Sequence, residues 1–333
     1  IHFPADRETL QKAKERMVFE DLWLFQFAVE QLRDRRQRQS KEALQIDRSS
    51  VEKKLRCLPY ALTDAQLRAL QEVLRDLERP KVMARLLQGD VGSGKTVVAL
   101  LSAYAAITAG RQAALMVPTE LLAQQHYRTA LKFFEGTGVR VELLVGGMPG
   151  ATRREVLSRI ANGAADLVVG THALIQQDVV FAALGLAIAD EQHRFGVMQR
   201  SALEAKGCGC DVLVLSATPI PRTLALILYA DMDLSVIDQL PPGRKPVKTQ
   251  LVPQARRTDL YAFVQKLAQS GEQGYVVCPL VEESDEIEAH SAEEVYKELR
   301  EGPLKNVRVG LVHGRMKPAE KEAAMRAFQA GET

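Results

Sequence analysis

One string, Gly89-Asp90-Val91-Gly92-Ser93-Gly94-Lys95-Thr96, constrains the fold more than any other part of the chain. It fits the pattern G-x-x-x-x-G-K-[ST]. An apolar run, Met83–Gln88, precedes it, and a helical stretch, Val97–Thr108, follows it. A glycine-rich turn from strand to helix lets successive backbone N–H groups converge on one point, where the helix N-terminus adds roughly half a positive charge. Such a turn suits a phosphate chain. Gly89, Asp90, Val91, Gly92, Ser93 and Gly94 would wrap it, Lys95 would reach its β- and γ-phosphates, and the Thr96 hydroxyl would ligate Mg2+. ATP with Mg2+ is the expected ligand.

From residue 63 to about 234, helical stretches alternate with short apolar runs. The strand candidates are Met83–Gln88, Ala113–Val117, Val139–Val145, Asp166–Gly170, Leu186–Ala189 and Val212–Leu215. Runs this apolar suit strands buried on both faces, as in a parallel sheet, and the helices between them make βαβ units. The expected fold class is α/β, with two doubly wound parallel-sheet domains behind a long N-terminal helix. That helix is read over 7–41, from Leu10, Ala13, Met17, Leu22, Phe25, Val29 and Leu32. Trp23 and Phe27 widen its apolar surface and suggest that it docks on something. A boundary falls near Leu58-Pro59-Tyr60, and Leu240-Pro241-Pro242-Gly243-Arg244-Lys245-Pro246 holds neither a regular helix nor a central strand. The alternation then restarts, with strand candidates Thr249–Val252, Tyr275–Val281 and Val307–Val312 and helices near 256–269, 291–300 and 318–329. The reading is an N-terminal helical segment 1–60, a first α/β domain 61–240, a linker 241–247 and a shorter second α/β domain 248–333.

Composition narrows the class. With 333 residues, 46% of them hydrophobic, the chain can bury a full core. No apolar run reaches the roughly 18–20 residues of a membrane-spanning helix. The net charge of +2 neither argues for nor excludes a polyanionic partner, because a neutral total hides a basic face. The densest basic run, Arg33, Arg35, Arg36, Arg38 and Lys41, is either a solvated helix end or a contact for a nucleic-acid backbone. Cys57, Cys208, Cys210 and Cys278 lack the C-x-x-C spacing of zinc or redox sites, so reduced thiols in the cytoplasm are expected. The opening Ile1-His2-Phe3-Pro4 resembles no signal peptide and reads as the start of a cut or processed chain.

The second chemical signal is Asp190-Glu191-Gln192-His193, directly after the run Leu186–Ala189. Carboxylates at the C-terminal end of a parallel strand sit where ligands bind such sheets. Asp190 is the candidate Mg2+ partner, and Glu191 the candidate base that activates a water. Two adjacent carboxylates near a phosphate imply the metal. Without the phosphate loop the pair would read as an acidic helix cap. His193 is either a hydrogen-bonded structural residue or a link from the γ-phosphate to neighbouring loops.

Several further strings resemble superfamily 2 helicase motifs. They are Pro118-Thr119-Glu120-Leu121-Leu122-Ala123-Gln124-Gln125, Gly170-Thr171-His172-Ala173-Leu174 and Ser216-Ala217-Thr218. More specific strings are Asp190-Glu191-Gln192-His193-Arg194-Phe195-Gly196-Val197, Ser216–Leu224, Leu58–Gln66 and Cys278–Ser284. With them the chain resembles the RecG family of DNA helicases over essentially its whole length. The resemblance implies an ATP-dependent translocase on branched double-stranded DNA (forks and Holliday junctions), with no membrane partner and acting as a monomer. It implies that Ser216 and Thr218 couple hydrolysis to movement. Pro118, Thr119, Thr171, His172, His313 and Gly314 would contact DNA backbone, where Thr side chains and amides suit phosphates.

Two residue readings stay open. Gln66 would recognise adenine, or close the capping box Thr63-Asp64-Ala65-Gln66 of a helix over 64–77. His313-Gly314 is a DNA contact or a strand-to-helix turn. Family members carry two more motor motifs, with arginines that reach the γ-phosphate, and an N-terminal wedge domain. Neither matches a string here, so weak hydrolysis is expected of this chain. Two other classes remain: a transcription-repair coupling factor, which shares the motor, and a non-enzymatic module switched by ATP.

Overall fold

The computed structural model describes residues 5–37, 40–190, 206–207, 209–217, 232–241, 247–278 and 285–332. The chain divides into two compact units, Ile1–Arg244 and Lys245–Thr333.

In the first unit, seven strands among the described residues form one sheet. They are β1 (Ala84–Gly89), β2 (Gln112–Met116), β3 (Val141–Leu144), β4 (Leu167–Gly170), β5 (Leu184–Asp190), β6 (Asp211–Ser216) and β7 (Asp233–Ile237). Their order is β3-β4-β2-β5-β6-β1-β7 and every pairing is parallel. All six expected strands form, with ends shifted by one to two residues. Side chains alternate between two cores, as a pleat requires. Leu87, Leu115, Val169, Ile188 and Leu213 face one core, which Leu70, Leu74, Val98 and Leu101 complete. Leu86, Ala114, Val168, Ala187 and Val214 face the other, with Val156, Ile160 and Leu174. Each leucine buried this way contributes about 1.5–3 kcal/mol.

Among the described residues the helices of this unit are α1 (Arg7–Gln37), α2 (Arg48–Arg56), α3 (Asp64–Leu77), α4 (Lys95–Thr108), α5 (Glu120–Phe133) and α6 (Gly150–Ala161). Because α4 and α5 cover one core and α6 the other, the sheet is doubly wound. The expected docking of α1 is not seen: Met17, Phe19, Leu22, Trp23 and Phe27 are all exposed, and the Trp23 and Phe27 rings stack on each other.

The segment after α1 is tied down instead. Ser40 bridges Lys81 in antiparallel fashion, and the Lys41 N–H donates to Pro80 O at 3.3 Å. The Lys41 ammonium is buried against the Asp211 carboxylate and also donates to Leu77 O at 2.9 Å. Lys41 is thus neither a solvated charge nor a backbone contact for nucleic acid, because its charge is spent inside the protein. A second buried pair, Arg85 with Asp76 at 2.6 Å, sits on β1, and Arg85 also donates to Ser235 Oγ at 2.8 Å.

The second unit contains α7 (Arg257–Gln269), α8 (Asp285–Glu301) and α9 (Pro318–Gln329), close to the expected spans. Tyr261, Leu299 and Leu304 form its small core with Val264, Val295, Val307 and Val309. Its expected strands differ. Residues 249–252, 275–278 and 307–312 carry no ladder among the described residues, and Leu251 and Val277 are 98% and 84% exposed. An apolar run becomes a strand only when a neighbour satisfies its N–H and C=O groups, and no such neighbour is present among the described residues.

Candidate functional site

In a parallel sheet every strand points the same way, so all the strand ends meet along one edge. At that edge β1 ends in the glycine-rich turn, β6 in Ser216 and β5 in Asp190. Leu87, Leu215 and Asp190 lie on one row across the three strands. Leu87 and Asp190 are therefore two strand spacings apart, roughly 10 Å, and Gly89 lies two residues further along β1 toward the same edge. Beyond β5 the edge continues through Pro118 and Thr119 after β2, then Thr171 and His172 after β4. His172 opens a short 3-10 turn, His172–Ile175. The glycine-rich turn, Ser216, Asp190, Pro118, Thr119, Thr171 and His172 thus follow strand ends along one edge, while Gln66 lies on α3.

The turn is built by its glycines. Gly92 and Gly94 have φ of +75° and +87°, in the left-handed region that favours glycine. A Cβ on Gly89 would meet Ser93 Oγ at 2.5 Å, and one on Gly94 would meet Gln66 Nε2 at 2.2 Å. The Lys95 ammonium folds back to donate to Gly89 O at 2.8 Å and Asp90 O at 2.9 Å. Ser93 donates its N–H to Asp90 O at 3.0 Å, while its buried Oγ has no partner. Thr96 follows Lys95 in the first turn of α4. Left-handed glycines, a folded-back lysine and an orphaned hydroxyl at a helix N-terminus fit a polyphosphate anion.

Gln66 supports this turn from α3. The Thr63 hydroxyl accepts the Gln66 N–H, and Gln66 Oε1 accepts the Thr63 N–H at 2.9 Å, so both halves of the capping box are made. Its Nε2 donates to Ser93 O at 2.7 Å.

Asp190 has a partner that the sequence reading missed. His126 Nε2 lies 3.1 Å from Asp190 Oδ2, with side chains only 14% and 15% exposed. His126 directly follows the string Pro118–Gln125, and a lone histidine there gave no signal of its own. Thr119 caps α5 by accepting the Leu122 N–H at 3.3 Å, and Glu120 accepts the Gly147 N–H at 3.0 Å. In the second unit, His313 Nε2 lies 3.6 Å from Glu293, its Nδ1 is buried without a partner, and Gly314 O accepts from Lys321 at 2.7 Å. Glu191, Gln192, His193 and Thr218 lie outside the described residues.

A family model described as DEAD/DEAH box helicase matches residues 63–227. The ATP-dependent DNA helicase RecG of Thermotoga maritima is 46% identical over 331 residues, which are 99% of this chain and 42% of that protein. The RecG of Bacillus subtilis is also 46% identical over 331 residues, 99% of this chain and 48% of its own length. A solved structure of RecG bound to a three-way DNA junction superposes with a TM-score of 0.81 at 42% identity, covering 99% of this chain and 43% of that one. The chain belongs to the RecG family. It spans less than half the length of these RecG relatives. Among the described residues, no helix is long and apolar enough to cross a membrane.

Proposed function

We propose that this chain is the ATP-driven motor portion of a helicase that remodels branched double-stranded DNA, such as stalled forks and Holliday junctions. The observation that carries the reading is the shared edge, where the glycine-rich turn and Asp190 stand two strands apart with Ser216 between them. Kinship supports the rest, because the relatives named above are RecG helicases and the superposed RecG holds a DNA junction. The same kinship favours RecG over a transcription-repair coupling factor.

In this reading the backbone of residues 89–94 and the Lys95 ammonium bind the phosphates of ATP. Thr96 and Asp190 would hold Mg2+, which would supply charge neutralisation at the phosphates. Glu191 orients a water and takes its proton as the water oxygen attacks the γ-phosphorus and the bond to ADP breaks. His193, Ser216 and Thr218 couple that event to movement. Pro118, Thr119, Thr171 and His172, with His313 and Gly314 of the second unit, contact DNA backbone without reading sequence. The functional divisions are a helical segment 1–60, a first motor domain 61–240, a linker 241–247 and part of a second motor domain 248–333. The protein acts as a cytoplasmic monomer.

Glu191→Gln in the whole protein tests this reading. Branched duplex DNA is expected to stimulate ATP hydrolysis, and the variant to lose turnover while keeping ATP affinity. DNA binding is expected to weaken steeply, by about 10³-fold or more between roughly 50 and 200 mM salt, as phosphate contacts require. A variant with undiminished turnover, or binding indifferent to salt, contradicts the reading.

A further inference from the structure

We infer that His126 is a positioning residue for Asp190, holding that carboxylate in the orientation that receives Mg2+ beside the phosphate loop. The inference rests on the nucleotide-site reading above and adds a residue to it. Asp190 is the last residue of β5, so the strand ladder fixes its backbone but leaves its side chain to rotate. Among the described residues its side-chain partner is His126, whose Nε2 lies 3.1 Å from Oδ2, and both side chains are largely buried. The imidazole engages Oδ2 and would leave the rest of the carboxylate to hold the metal. An outer partner of this kind fixes the orientation of an acidic ligand, and its loss typically costs about 10–100-fold in metal affinity.

The placement of His126 gives the contact a second consequence. It sits on α5, seven residues after the cap Thr119, roughly 10 Å along the axis. The first turn of α5 is anchored by Thr119 to Leu122 and by Glu120 to Gly147. One helix therefore carries the candidate DNA-contacting turn at its start and the group that orients Asp190 two turns later. A shift of that turn on DNA moves His126 as part of the same rigid element.

The test uses this chain, a fluorescent ATP analogue and Mg2+ titrated from excess EDTA. In His126→Leu the Mg2+ midpoint for tight nucleotide binding is expected to rise about ten-fold or more, with metal-free affinity unchanged. His126→Gln, whose amide nitrogen reaches close to the Nε2 position, is expected to restore most of the shift, whereas His126→Asn, too short to reach, is not. If His126→Leu does not fold, the contrast between Gln and Asn decides. A wild-type Mg2+ midpoint in both Leu and Asn, or in Asn alone where Leu does not fold, overturns the positioning role while leaving the nucleotide site intact. A wild-type chain that binds no nucleotide at any Mg2+ concentration overturns the site reading and this inference with it.

Discussion

Gln66 makes the capping box that is one of its two readings, and the adenine contact is the other. It is only 3% exposed, with Oε1 engaged by Thr63 and Nε2 by Ser93 O. These bonds support the phosphate turn, so Gln66→Leu is expected to weaken ATP and GTP alike, by about ten-fold, the worth of roughly one buried hydrogen bond. Competition binding with both nucleotides checks this; loss of the preference for ATP with GTP unaffected would instead mark an adenine contact. Gly94→Ala is expected to cost about 1–3 kcal/mol, because alanine resists a left-handed φ and its Cβ would strike Gln66. The pair Lys41–Asp211 makes a pH prediction. Burial pushes the Asp211 carboxyl up to about 6, against the pull of the Lys41 ammonium and the Met83 N–H. The folded value lies above the unfolded one of roughly 3.9, so the contribution is fully present below about pH 4 and is lost as pH rises through about 6. Asp211→Asn should flatten stability over that window, because the neutral amide does not ionise. Denaturant midpoints between about pH 4 and 7 measure this, and an unaltered slope would contradict the assignment.

Elements were legible where one apolar run forms one buried strand, as with β1, β2, β5 and β6. The edge strand β7 was missed because its pattern is inverted: Ser235 is buried against Arg85, while Leu234 and Val236 face outward. Helix α2 was missed for a different reason. It is short and polar and starts at a local device, Asp47 accepting the N–H groups of Ser49 and Ser50. Among the described residues the expected second-unit strands form no ladder, since apolar content alone does not supply a ladder partner. Helix α1 forms over Arg7–Gln37, short of the expected end at 41, and periodicity reports its apolar surface and not what covers it. With so little packing, most of the stability expected of a protein helix is absent. Backbone amides of 7–37 are therefore expected to exchange with solvent far faster than those of α4. Comparable protection in the two helices would show that α1 is covered in solution.

At the scale of the whole molecule, the winding of the sheet decides which distant strings become neighbours. Strings 89–96 and 190–191 are far apart in sequence, yet the parallel winding brings the ends of β1 and β5 to one edge. Local motifs revealed that edge because glycine conformations and strand-end carboxylates are local. His126 and Lys41 stayed hidden because each acts through a partner distant in sequence. The central claim is that this edge is a nucleotide site built around phosphate recognition. Calorimetric titration of the chain with ATP, ADP and adenosine in the presence of Mg2+ tests it most directly. ATP and ADP are expected to bind, adenosine is not, and Lys95→Ala should abolish most of the affinity for both nucleotides. Equal binding of adenosine, or ATP affinity untouched by Lys95→Ala, would contradict the account.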